Sequence, residues 1–138
     1  MTDLNTNLSN ADIVARFWDA QIAGDRDTAR ALVHPEMTWT VIGRTHPIAR
    51  TFHGADGFFG ELLGELGRNL DRPTIKIEVQ HIHDAGDVVV TEFHETATAK
   101  NGHEFVIDII CVMNLADGLI TNCREYMDLA EVGAAFPA

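Results

Sequence analysis

Two glutamates carry most of the chemistry this sequence could support. Glu95 lies in Val88–Ala99 and Glu125 in Leu119–Leu129, two runs that read as strands. Every second residue beside them is apolar: Phe93 and Ala97 flank Glu95, and Cys123 and Met127 flank Glu125. A carboxyl among apolar groups resists ionisation, because desolvation penalises its charged form. Two such carboxyls can divide proton transfer, Glu125 as base and Glu95 as acid, with space for a water between them. The alternative is that one or both only shape a pocket, hydrogen-bonded to Trp39, to loop backbone or to water.

Other reactive side chains form weaker patterns. His94 and Asp108 fall opposite each other on the face that Glu95 does not use. They read as a dyad or, more simply, as a polar contact at a dimer interface. His81-x-His83 puts two imidazoles on one strand face, but no third ligand has a recognisable spacing. No metal and no cofactor are therefore expected. Cys111 has no evident base and reads as core. Arg44, His46 and Arg50 belong to a loop that could cover a pocket mouth. There is no phosphate loop, dinucleotide fingerprint or nucleophile elbow.

The elements that must hold these groups follow from periodicity. Ser9 or Asn10 caps a first helix carrying Ile13, Phe17, Trp18 and Ile22, and Gly24 suits its end. A second helix runs from about Arg26 to Val33, where Pro35 stops it. Met37–Ile42 reads as a strand. A third helix opens at Gly54–Asp56 and carries Phe58, Phe59, Leu62, Leu63 and Leu66. The second half is strands: Ile75–Gln80 alternates with period two, then Val88–Ala99, Glu104–Leu115 and Leu119–Leu129 follow. Helices first and a strand meander afterwards is the α+β pattern, here a curved mixed or antiparallel sheet wrapped as a cone around the N-terminal helices. Residues 1–8 read as a flexible lead and 9–138 as one domain.

Register decides which side chains meet. If Lys100-Asn101-Gly102 and Ala116-Asp117-Gly118 are three-residue loops, Glu95 lies opposite Ile107 and Glu125 opposite Ile109. Cys111 and Cys123 are then directly opposed, as free thiols. One face carries Phe93, Glu95, Ala97, Phe105, Ile107, Ile109, Cys111, Met113, Cys123, Glu125 and Met127. If Asn101-Gly102 is a two-residue turn, Glu95 pairs with Asp108 instead. The opposite face carries Asp108, Ile110, Val112, Arg124 and Tyr126, with no helix to cover it. That predicts a homodimer.

Bulk properties set the outer limits. The 138 residues are 46% apolar with a net charge of −11. Nucleic acid and anionic membranes need basic patches, so neither is an expected partner. No run reaches the ~18 apolar residues of a membrane span, and the N-terminus lacks an apolar signal region. The expected location is the cytoplasm, which would keep both cysteines reduced.

Two stretches resemble a known superfamily. One is Ala15-Arg16-Phe17-Trp18 with Gly24-Asp25, Ala31-Leu32-Val33, His34-Pro35-Glu36, Trp39 and Gly54. The other is Asp117-Gly118-Leu119-Ile120 followed by Arg124-Glu125-Tyr126-Met127-Asp128. Their order over residues 11–136 is similar to the SnoaL-like, or nuclear transport factor 2-like, superfamily of polyketide cyclases, ketosteroid isomerases and limonene epoxide hydrolases. The resemblance implies a cone fold, usually a homodimer through the outer sheet face, with an internal pocket for a small apolar molecule. It does not fix a reaction. The ketosteroid isomerase tyrosine and two aspartates fall at Phe17, Val41 and Cys111, so that mechanism is lost. The cyclases' acid–base aspartate also falls at Cys111. The two epoxide hydrolase aspartates fall at Glu95 and Glu125, their arginine at Phe93, and their water-holding tyrosine and asparagine at Trp39 and Val41.

Residue pattern and resemblance together give the site candidates. Glu125 and Glu95 are catalytic candidates. Phe17, Trp39, Val41, Phe93, Ile107, Ile109, Cys111, Cys123 and Met127 are ligand-binding candidates. Three functions stay open: a cofactor-independent isomerase, cyclase or hydrolase; a binding protein without chemistry; and a dimeric scaffold acting through the outer face.

Overall fold

A computed structural model describes residues 8–137. The lead expected over residues 1–8 lies outside this range except for Leu8. Helix α1 spans Asn10–Ala23. Ser9 starts it with a reciprocal cap: its hydroxyl accepts from the Asp12 N–H, and the Asp12 carboxylate accepts from the Ser9 N–H. Gly24 ends it in the left-handed conformation, φ 73°. One face of α1 buries Ile13, Val14, Phe17, Trp18 and Ala20. Helix α2 follows at Arg26–Ala31.

Strand β1 spans Val33–Val41, longer than the expected Met37–Ile42. Pro35 sits inside it, where the ladder to the neighbouring strand is interrupted between Val33 and Thr38. A proline lacks the N–H that an unbroken ladder requires, so it is tolerated there. The short strand β2, Thr51–His53, was not expected. The next helix is composite: α3 at Gly54–Asp56, a π-helical turn at Gly57–Leu62, and α4 at Leu63–Asn69. The π turn buries Phe58, Phe59 and Leu62 together.

Strands β3 (Lys76–Ala85), β4 (Val88–Thr98), β5 (Glu104–Ala116) and β6 (Leu119–Tyr126) complete a six-stranded sheet in the order β2-β1-β6-β5-β4-β3. All pairings are antiparallel except β1 with β6. The sheet is curved and unclosed, and α1 packs against β3 and β4. A last helix, α5 at Leu129–Ala135, was not expected. Asp128 caps it by accepting from Ala130 and Glu131, the signal that would have located it. The β4–β5 hairpin holds α5 in place. Asn101 donates to the Ala134 carbonyl, and the Glu131 carboxylate accepts from the Val106 N–H and meets His103.

The last hairpin corrects the expected register. Asp117 and Gly118 both have positive φ, 53° and 77°, so they form a two-residue turn and Ala116 pairs with Leu119. A second one-residue shift falls between Leu115 and Asn114. Together the two shifts restore the pleat from Asn122 onward, so Cys123 and Glu125 keep the expected face with partners moved by two, while Leu119 and Ile120, which lie between the shifts, exchange faces and Ile120 is buried. Glu125 therefore lies opposite Cys111, not Ile109, and Cys123 opposite Met113. The two cysteines are free and diagonal rather than opposed.

Candidate functional site

The concave face of the sheet is lined by alternate residues of β4, β5 and β6. Helix α1 fills part of it and leaves a chamber of about 70 Å³. Trp18 and Gln21 come from α1, Trp39 from β1, and Phe58 and Leu62 from the π turn. The sheet contributes Ile77, Phe93, Glu95, Phe105, Ile109 and Glu125, and the far end is closed by Met127, Val132 and Phe136. Ile48 enters from the loop before β2. His46 fixes that loop by meeting the Phe136 carbonyl at 2.7 Å and accepting from the Ile48 N–H at 3.1 Å. Leu63 and Leu66 stand at the opening.

Glu95 and Glu125 are only 6% and 7% exposed, in a wall that is otherwise apolar. Glu95 faces Ile107 across the ladder and makes no side-chain hydrogen bond among the described residues. Burial, followed by the nearby charge of Glu125, pushes its carboxyl up to about 8. It is therefore mostly a neutral acid at pH 7, able to donate a proton. Glu125 is held differently. The Trp39 Nε1–H donates to its Oε1 at 3.0 Å, and Cys111 Sγ lies 3.5 Å from Oε2. Burial raises this carboxyl as well, but those two hydrogen bonds oppose the rise. The environments separate the pair into a stronger and a weaker acid. The corrected register puts them four residues apart along β5 instead of two. Curvature of the sheet nonetheless brings both onto one chamber.

Of the remaining candidates, Trp39, Phe93, Ile109 and Met127 line the chamber. Phe17, Val41, Ile107, Cys111 and Cys123 do not: they are packed into the wall around it. Alternation along a strand identifies the inward face, but not which part of that face the helix covers. Phe17 lies behind Trp18, ring centres 5.3 Å apart, and it is Trp18 that reaches the chamber. Burial pushes the Cys111 thiol well up, followed by contact with Cys123 and the charge of Glu125, which removes its nucleophilic form. Trp18, Phe58 and Phe105 had the right apolar pattern, while Val132 and Phe136 depend on the unforeseen α5.

The outer face holds the other polar groups. His94 Nδ1 meets Asp108 at 2.8 Å on the surface away from the chamber. His83 pairs with Glu92, and no group of three metal-binding side chains occurs among the described residues.

The sequence profile of the SnoaL-like domain matches residues 14–123. The chain belongs to the SnoaL-like domain family. Among solved structures, this SnoaL-like domain is similar to a nuclear transport factor 2-like protein from Burkholderia thailandensis, with 24% identity over 95% of this chain and 99% of that one and a TM-score of 0.84. It is similar to TerC, co-crystallised with polyporic acid, at 17% identity over 94% of this chain and 98% of that one, TM-score 0.80. A chain from Jannaschia sp. CCS1 named for a SnoaL-like polyketide cyclase shares 21% identity over 94% of this chain and 92% of that one, TM-score 0.76. At these identities the likeness establishes the fold of the SnoaL-like domain. No curated protein matches it. No helix among the described residues is long and apolar enough to cross a membrane.

Proposed function

We propose that this domain takes a small, largely apolar organic molecule into the chamber and acts on it by acid–base chemistry without a cofactor. Glu95 gives a proton to an oxygen of the substrate, and Glu125 takes one from a C–H group or a water. The observation that carries this reading is Glu95: a buried acid facing a cavity, with no protein partner among the described residues. Leaving such a group without a partner is costly unless a ligand or water supplies one. The reaction class is an isomerisation, a cyclisation or a hydrolysis. The polyketide cyclase name of the Jannaschia neighbour and the polyporic acid co-crystallised with TerC agree with a small organic ligand.

A second reading, binding without chemistry, draws support from the lining. Phe93 stands where the resemblance to the epoxide hydrolases places their arginine, and among the described lining residues Gln21 is the only polar side chain besides the two glutamates and the two tryptophan indoles. Crystals of the protein as purified, or soaked with single-ring apolar fragments, separate an occupied chamber from an unused one. Density is expected against Glu95. Fragments found only on the surface would count against both readings.

The partner proposed on the outer face is a second copy of the chain. Val106, Ile110 and Tyr126 are exposed there by 53%, 42% and 44%, on the face of the sheet opposite the chamber. Burying them against their own copies removes apolar surface from water. Sedimentation should find a dimer at micromolar concentration; a monomer would contradict the assignment.

A further inference from the structure

The chamber opens into a wider mouth of about 180 Å³, bounded in part by Glu95, Ile77 and Gln21. Arg26 and Arg72 stand on its rim, and Lys76 lines the shallow depression beside it. Three of the ten basic residues of the chain thus lie on or beside one opening, although acidic residues number 21. Glu95 is the only carboxyl among the described residues that line either depression. None of the three cations is in an ion pair among the described residues, whereas Arg30 and Arg50 nearby are paired with Asp56 and Glu65. Arg72 lies across Gly67, where a Cβ would meet its guanidinium, and donates to the Leu63 carbonyl at 3.4 Å. The Arg26 guanidinium is 6.0 Å from the centre of the Phe59 ring. Each guanidinium has five N–H donors in a fixed fork, so most remain available to a ligand.

The size of the chamber points the same way. A cavity of ~150 Å³ accommodates one benzene ring, about twice the volume of this chamber. A ring in the 70 Å³ chamber is therefore expected to extend past Glu95 into the adjoining mouth. A charged end could not lead, because inside it would lose its water beside Glu125.

We propose that the ligand is a single-ring organic carboxylic acid, its apolar end in the chamber and its carboxylate held at the mouth by Arg26 and Arg72. This rests on the reading of the chamber as a ligand site and narrows the class of molecule it takes. Arginine forks match carboxylates in two-point contacts, and a mouth whose described lining holds two arginines and one mostly neutral carboxyl attracts anions to a protein that otherwise repels them.

The test uses 4-ethylbenzoate and its neutral isostere 4-ethylbenzamide. Both tryptophans of the chain, Trp18 and Trp39, line the chamber, so intrinsic fluorescence reports its occupation directly. The benzoate is expected to bind at least ~10-fold more tightly than the benzamide, the effect of one or two charge-assisted hydrogen bonds. In the double variant Arg26→Gln, Arg72→Gln the preference should fall below about 3-fold, with benzamide affinity unchanged. Both positions are exposed, so the fold should persist, and each single variant serves as a check by circular dichroism. Equal binding of the two compounds, or a preference that survives the double variant, would overturn the carboxylate assignment and leave the chamber reading standing. Failure of both compounds to change the fluorescence at millimolar concentration would overturn the two together.

Discussion

Glu125→Gln is expected to lower turnover by roughly 10²–10⁴-fold while ligand binding largely persists. The substitution keeps the shape of the side chain and leaves an oxygen to accept the Trp39 Nε1–H, now at 3.0 Å from Glu125. What it removes is the group that can take up a proton. Glu95→Gln should also lower turnover, through loss of the donor. Asp108→Asn should leave the chemistry intact, because its partner His94 lies with it on the outer face. Steady-state rates on a converted substrate, beside tryptophan fluorescence for binding, separate these effects. Full activity in Glu125→Gln would remove the proposed base. A large loss in Asp108→Asn alone would move the chemistry to the other side of the sheet.

The second large effect is on stability. The Glu95 carboxyl titrates near 8 in the folded protein, against 4.5 for the free group. Between those values the folded state holds a proton that the unfolded state has released. Stability is therefore full below about pH 4.5, falls as pH rises, and levels off above about 8. The total loss is on the order of 5 kcal/mol, at about 1.4 kcal/mol for each unit of separation. Glu125, also raised by burial, slopes the same way. General repulsion at a net charge of −11 acts in that direction too, so the informative quantity is a difference between proteins. Urea unfolding at pH 5, 7 and 9 should show Glu95→Gln losing far less stability than the wild type. Parallel profiles would mean that Glu95 does not hold its proton in the folded state.

Much of this arrangement was legible in the sequence. The alternation of β4 and β5, with the loop at Lys100–Gly102, places Glu95 opposite Ile107, and the Ala99 N–H does donate to the His103 carbonyl. The inward positions of Cys123 and Glu125 on β6 were readable as well, but the partners of the strand and the burial of Ile120 were not. That register depends on Asp117 adopting a positive φ, which a non-glycine residue seldom does, and on a one-residue bulge that leaves no mark in the alternation. The seven residues of α5 are too few for helical periodicity to stand out, although Asp128, Val132 and Phe136 fit a capped turn. The chamber boundary could not be read from pattern at all. Phe17 and Trp18 both face inward from α1, and only the packing of the helix across the sheet decides that Trp18 meets the cavity.

The central claim is that the chamber holds one neutral and one more readily ionised glutamate, set apart by their surroundings. Carbon-13 NMR titration of the glutamate side-chain carboxyls measures this without knowledge of the substrate, with Glu95→Gln and Glu125→Gln identifying the two signals. Glu95 should titrate near 8 and Glu125 below it, and Glu125→Gln should lower the Glu95 midpoint by removing the neighbouring charge. Two midpoints in the ordinary range of exposed glutamates, near 4.5, with neither variant affecting the other, would contradict the account.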